Sequence, residues 1–350
     1  MVSPQLAFRF ALVYSFGYLC GTYLNLGHVG QLYYRPRCVP SACPNDRYFT
    51  NNLTTPDSDI QKNNLLEKGN ASILQHELVE EMEKHHDDDS VARKLLPKVK
   101  ILVWVMTTKA NHEKKCHTVK NTWGKHCEKL LFMSDTEDKT LPAIAVYSEA
   151  GRGHLTGKTM RSFDYLYKHH LNDYDWFMKA DDDTYVVMEN LRYMLSGEDP
   201  TKPIYFGHHF KPYVKQGYFS GGGGYVISKE ALRRFGTRDS NSCALDGGAE
   251  DIMFGRCMEK LGVIPSDSRD SLNRTRFHCF SPEMQLKGRF PNWFHKYNKF
   301  EATGGEEAIS DYAITFHYLS PEKMMNMEFS LYHLRPYGIK SGLQDLNRHR

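Results

Sequence analysis

Asp173-Tyr-Asp-Trp-Phe-Met-Lys-Ala-Asp-Asp-Asp-Thr-Tyr-Val-Val187 decides the fold class. Trp176 to Met178 is a short apolar run that ends in three consecutive carboxylates, Asp181, Asp182 and Asp183. A run of this length between polar residues suits a strand buried on both faces, as in a parallel sheet. In open α/β sheets ligands gather beyond the carboxyl ends of the strands, where these aspartates would sit. Residues i and i+2 of an extended segment point to one side, so Asp181 and Asp183 are expected to converge. Two hard oxygen donors suit Mg²⁺ or Mn²⁺, which would in turn hold a diphosphate. The plainer alternative is an acidic cap on the helix expected from Met188 to Leu195.

Working outward, Lys98 to Thr107 is apolar and β-branched, the pattern of a first central strand. A helix is expected around His112 to Trp123, with Lys114, Lys115 and Lys120 available to a phosphate or to solvent. Lys129–Met133 and Ala143–Tyr147 read as further strands, and Thr156–His170 has helical spacing. This alternation predicts an α/β nucleotide-binding sheet. It has neither GxGxxG nor GxxxxGK[ST], which counts against dehydrogenases and P-loop enzymes. Beyond it, Gly221 to Gly224 would weaken an ordinary strand and instead suit a close approach of backbone to ligand. Glu250 and Asp251 open a helix, where they are either dipole partners or a general base. Ala313–Tyr318 alternates as a strand and carries His317, a candidate third metal ligand.

The chain of 350 residues has a net charge of +3 with basic residues scattered, so nucleic acid is not expected as a partner. Aromatic residues make up 13%, a share that suits a carbohydrate-facing cleft or simply a large core. Phe10 to Leu26 lacks charge and reads as an uncleaved signal anchor. The organisation expected is a cytoplasmic tail over 1–9, an anchor over 10–26 and a polar stem over 27–96. A lumenal catalytic domain over 97–340 and a tail over 341–350 complete it. Sequons at Asn52, Asn70 and Asn273 agree with a lumenal location. Eight cysteines permit disulfides there, with Cys116–Cys127 and Cys243–Cys257 as expected local pairs. Cys38 and Cys43 pair with each other or join two chains as a homodimer.

Taken together, Trp104-Val-Met-Thr107, Val119-Lys-Asn-Thr-Trp123, Trp176 to Tyr185, Tyr205-Phe-Gly and Lys211 to Tyr218 resemble the family 31 β1,3-glycosyltransferases. Ser220 to Ser228, Glu250-Asp251, Gly255-Arg-Cys-Met258, Asp267-Ser-Arg-Asp270, Phe316-His-Tyr318 and Tyr332 to Gly338 extend the match. The resemblance implies a GT-A fold, Mn²⁺, UDP-galactose and single-pass type II topology in the Golgi membrane. By position, Asp181, Asp183 and His317 fall on metal ligands, and Asp251 falls on the catalytic base with Glu250 as second choice. Thr107, Lys158 and Asp182 are assigned to the nucleotide sugar, and Tyr218, Gly222, Gly223, Tyr225 and Trp293 to the acceptor. The implied reaction moves galactose, with inversion, to the 3-hydroxyl of GalNAc α-linked to Ser or Thr of glycoproteins. Rival expectations are a sister enzyme using another UDP-sugar or acceptor, a non-catalytic chaperone and a lectin-like protein. The chain departs from the family at Ala308-Ile309, where relatives carry adjacent cysteines, and at Cys279, where they carry proline.

Overall fold

A computed structural model describes residues 88–146 and 151–336. The expected tail and anchor, the sequons at Asn52 and Asn70, and the terminal tail lie outside the described residues.

Eleven strands occur among the described residues: β1 Ile101–Met106, β2 Lys129–Ser134, β3 Ala143–Ala145, β4 Trp176–Asp181, β5 Tyr185–Val186, β6 Ile204–Gly207, β7 His209–Phe210, β8 Tyr218–Phe219, β9 Tyr225–Ser228, β10 Ile264–Pro265 and β11 Thr315–Phe316. Seven form one sheet in the order β10-β6-β9-β4-β1-β2-β3. All its neighbours run parallel except β9, which is antiparallel to both β4 and β6. The expected α/β class with a mostly parallel sheet is therefore what forms, with a carboxylate run at the end of a central strand.

Why these strands sit centrally follows from their pleat. In β1, Ile101, Val103 and Val105 enter one core with Trp123, Met188 and Leu191, while Leu102, Trp104 and Met106 enter another. Neither face is left to solvent, so every β1 residue is apolar and buried. β4 alternates likewise, except that Lys179 occupies the face of Phe177 and Asp181. Helices Leu155–His170, Lys229–Gly236 and Glu250–Lys260 contribute the second core, where Phe163 and Phe254 stack at 4.9 Å. A third, smaller cluster is mostly aromatic: Phe210, Tyr218, Phe280, Phe290 and Phe294, with Val214 and Cys279.

The helical residues expected around 112–123 do form, as a π turn, His112–Cys116, running directly into the short α-helix His117–Asn121. Several expectations need correction. The strand expected over 313–318 is reduced to Thr315–Phe316, which pairs with the two-residue β5 and bridges Phe277 at one residue. The end of the expected stem forms a helix, Ser90–Leu95. Cys243 and Cys257 are bonded, clamping a loop to the Glu250–Lys260 helix. Cys116 and Cys127 are free thiols, not a disulfide. Cys116 Sγ is turned to Thr107 Oγ1 at 3.0 Å, whereas Cys127 Sγ faces the Trp123 carbonyl at 3.9 Å. Asn273 is exposed in a left-handed turn with φ 62°.

Candidate active site

β4 ends at Asp181, and the Thr184 N–H donates to the Asp181 carbonyl at 3.1 Å, so the chain turns at once. Asp183 reaches the side of Asp181 through this turn rather than through an extended strand. The β5–β11 pairing sets Phe316 opposite Tyr185 and so delivers His317 to Asp183. The ligand atoms of Asp181, Asp183 and His317 all lie within 4.8 Å of one another. His317 Nδ1 donates to the Cys279 carbonyl at 3.3 Å, and its Nε2 lies 3.1 Å from Asp183 Oδ1. A backbone partner on the far ring nitrogen is the usual way a metal-ligating histidine is oriented. Asp183 and His317 are thus held as a close pair. Asp181 Oδ1 is also buried without a well-angled hydrogen bond. Two carboxylates and one imidazole so arranged fit a divalent cation such as Mn²⁺.

Sequence reasoning gave no role to Lys179, although a lysine inside an apolar strand demands a buried partner. Its Nζ lies 2.6 Å from Asp181 Oδ1 and 3.9 Å from Glu250 Oε2, and donates to the Gly221 carbonyl at 2.9 Å. Burial pulls this ammonium down, but the Asp181 and Glu250 charges outweigh it and hold its pKa above the ordinary lysine value. The glycine run lies against these groups. A Cβ on Gly221 would meet Glu250 Oε2 at 2.4 Å, and one on Gly222 would meet His317 Cε1 at 2.0 Å. Gly223 differs, since a Cβ there meets nothing nearer than 3.4 Å. Three carbonyls of the run are taken by Lys179 Nζ, Thr184 Oγ1 and Thr315 Oγ1 at 2.9, 2.7 and 2.6 Å. The glycines thus give room first to side chains of the site.

Asp182 points away from its two neighbours into a separate network. Its Oδ2 accepts from Thr107 Oγ1 and Asn111 Nδ2, and its Oδ1 from Lys115 Nζ, all at 2.8 Å. Lys158 Nζ donates to the Thr107 carbonyl at 2.7 Å, and burial holds this ammonium below its ordinary range. Thr107, Lys158 and Asp182 therefore come together as buried members of one network. Lys115, a third exposed and 3.9 Å from Asp183 Oδ2, forms its open edge.

At the start of the Glu250–Lys260 helix the two acids are used differently. Glu250 Oε1 accepts from Thr159 Oγ1 at 2.8 Å and Tyr225 OH at 2.9 Å. Asp251 is half-buried, with Oδ1 accepting its neighbour Ile252 N–H at 2.9 Å. Burial and then the Glu250 charge push the Asp251 carboxyl up to about 6. Near-neutral proton affinity is what a general base needs.

The residues expected to face an acceptor separate. Tyr225 is buried in the second core, stacked on Phe254 at 4.8 Å with its hydroxyl committed to Glu250. Tyr218 is buried in the aromatic cluster, 5.7 Å from Phe210. The pleat of β8 and β9 turns both rings inward. Gly222 and Gly223 line the metal side. Only Trp293 stands at the surface, 43% exposed, edge-on to Phe210 and Tyr297 and tilted against Phe280. Two exposed tyrosines went unassigned. Tyr213 hydrogen-bonds Tyr297 hydroxyl to hydroxyl at 2.6 Å, and Tyr318 stacks on His317 at 3.9 Å. Both hold positive φ, rare for bulky residues.

The Fringe-like family model matches residues 96–286. Glycoprotein-N-acetylgalactosamine 3-beta-galactosyltransferase 1 of Xenopus laevis is 47% identical over 260 residues, 73% of this chain and 72% of that protein. Beta-1,3-glucosyltransferase of Mus musculus is 30% identical over 204 residues, 57% of this chain and 41% of that protein. The solved galactosyltransferase LgtC, in complex with donor and acceptor sugar analogs, covers 68% of this chain and 98% of its own at 11% identity and a TM-score of 0.37. The chain belongs to the Fringe-like family, and it is a glycosyltransferase of the family 31 kind that its motifs resemble.

Proposed function

We propose that this enzyme transfers galactose from UDP-galactose to the 3-hydroxyl of GalNAc α-linked to Ser or Thr of glycoproteins, with inversion and with Mn²⁺. The observation that carries this reading is the 47% identity extending over 72% of the Xenopus galactosyltransferase. Asp181, Asp183 and His317 would hold the metal. When bound, it supplies positive charge to the diphosphate of the donor and so favours departure of UDP.

The chain's own residues do the rest. Asp251 accepts the proton of the attacking 3-hydroxyl, with the Ile252 N–H fixing one of its oxygens and the other open to the acceptor. Glu250, anchored by Thr159 and Tyr225, keeps the helix start in place and raises the proton affinity of its neighbour. Attack on the face opposite UDP turns an α donor into a β product. Trp293 offers a ring to the acceptor sugar. The intact carboxylate triplet favours a catalytic role over that of a chaperone.

In the same reading residues 10–26 anchor a type II protein in the Golgi membrane, 27–96 form the stem, and the enzyme acts in the lumen, pairing as a homodimer. The test uses the full-length protein in detergent with Mn²⁺, a panel of UDP-sugars and a GalNAc-peptide. β1,3-linked galactose on the peptide is expected. Transfer only from another UDP-sugar, or only to acceptors without GalNAc, overturns the reading.

A further inference from the structure

Three carboxylates stand in a row at Asp181–Asp183, yet two lysines already lie among them. Lys179 Nζ is 2.6 Å from Asp181, and Lys115 Nζ is 2.8 Å from Asp182 and 3.9 Å from Asp183. Lys179, shared between Asp181 and Glu250, and Lys115, paired with Asp182 and within reach of Asp183, each set a positive charge against the carboxylates where a divalent cation would bind. Lys179 is almost wholly buried and shared with Glu250, so it has no way to swing out into water. Its counter-charge is therefore a fixed part of the site.

Building on the proposed function, we propose that Lys179 and Lys115 are specificity-determining residues that hold the site's affinity for free Mn²⁺ low, so that the metal is retained only together with a nucleoside diphosphate. A site whose carboxylates already face two ammonium groups gains less from a bare dication. A diphosphate arriving with the metal restores the negative charge that the lysines cancel, and Lys115, at the open edge, is placed to meet it. The consequence is a strong thermodynamic coupling between metal and nucleotide, which by linkage acts equally in both directions. Removing either lysine tightens free Mn²⁺ binding and weakens that coupling.

The experiment titrates Mn²⁺ into the full-length protein, with and without UDP, reading the free aquo ion by electron paramagnetic resonance. The proteins are wild type, Lys179→Met, Lys115→Met and Asp183→Ala. In wild type UDP is expected to raise Mn²⁺ affinity by about 100-fold, within the usual span of coupling between sites. Each lysine variant is expected to bind Mn²⁺ alone roughly tenfold tighter, with the UDP effect reduced in proportion. Lys115→Met keeps the question open to test even if Lys179→Met does not fold, because Lys115 is partly exposed. Free Mn²⁺ affinity unchanged in Lys115→Met, and in Lys179→Met where it folds, overturns the inference while leaving the proposed function intact. Failure of wild type to bind Mn²⁺ even with UDP, or equal binding by Asp183→Ala, overturns the proposed metal site itself.

Discussion

The metal corner and the acceptor side are built on opposite principles. At the metal corner, Lys179, Glu250, Asp182, Thr107 and the glycine carbonyls satisfy one another within hydrogen-bond or ion-pair distance. Removing one member strands its partners in a buried setting, so damage spreads. Around Trp293 the contacts are ring edges between 5.7 and 6.1 Å, and the surface is open. Each such contact contributes on the order of 1 kcal/mol, so a loss stays local. Chemistry is thus held by a network and acceptor preference by a patch that tolerates change.

The comparison breaks first, if it breaks, at Asp183. Asp183→Ala removes a ligand and releases His317 from its partner. Turnover is expected to fall about 10³-fold or more, as does turnover of wild type in excess chelator, with Mn²⁺ restoring only the latter. Substantial product from either, measured by sugar release from UDP-galactose, contradicts the metal assignment.

Asp251→Asn comes next, with an expected loss of roughly 10²-fold or more and little change in UDP-galactose binding. pH separates it from Glu250. Because burial and Glu250 raise the Asp251 carboxyl to about 6, wild-type kcat/KM should decline as pH falls through that region and the base takes up a proton. In Asp251→Asn the residual rate should lack this acid limb. If Glu250→Gln is the variant that loses the limb, the two roles are exchanged.

The glycine run offers a sharper contrast within one loop. A methyl group on Gly222 runs into the His317 ring, whereas one on Gly223 finds ordinary contact. Gly222→Ala is expected to cost roughly 10²-fold in kcat, the size of effect that a displacement of about 1 Å produces. Gly223→Ala is expected to stay within about twofold. Equal effects would show that the loop yields and that His317 is not held by it.

How much of this was legible in the sequence depended on whether a pattern or a partner carried the information. The β4 run and the Met188–Leu195 helix were readable because burial on both faces, or on one stripe, writes a period into the residues. Asp181 and Asp183 were readable as a pair, though their meeting depends on a turn. His317 needs β11 to pair with β5 across 130 residues of chain, which no local pattern reports. Lys179 carried a signal, a charge in an apolar strand, without saying which acid answered it. Cys116 and Cys127 show the limit of spacing, since their thiols are directed by Thr107 and Trp123. Tyr218 and Tyr225 face the core, and spacing alone does not show it, because aromatic residues serve cores and sugar platforms equally well. At Ala308-Ile309, in place of the relatives' cysteines, Ala308 is buried and Ile309 packs on the core beside the Arg274–Asp311 ion pair at 2.9 Å.

The smallest expected effect is the most selective. Trp293 is 43% exposed and braced by Phe210, Phe280 and Tyr297, so it is a stiff platform with one open side. Its ring contacts run to Phe210, Phe280, Phe294 and Tyr297, away from the hydrogen bonds of the polar network. Truncation to alanine removes stacking area from the acceptor alone. KM for the GalNAc-peptide should rise about five- to tenfold, the equivalent of roughly 1 kcal/mol, while KM for UDP-galactose and the acid limb of the pH profile stay put. Trp293→Phe should recover most of the loss, because a smaller ring still offers a face. A parallel rise in both KM values would mean that the aromatic cluster supports the donor side as well. The division between network and patch would then fail at the residue where it is easiest to see.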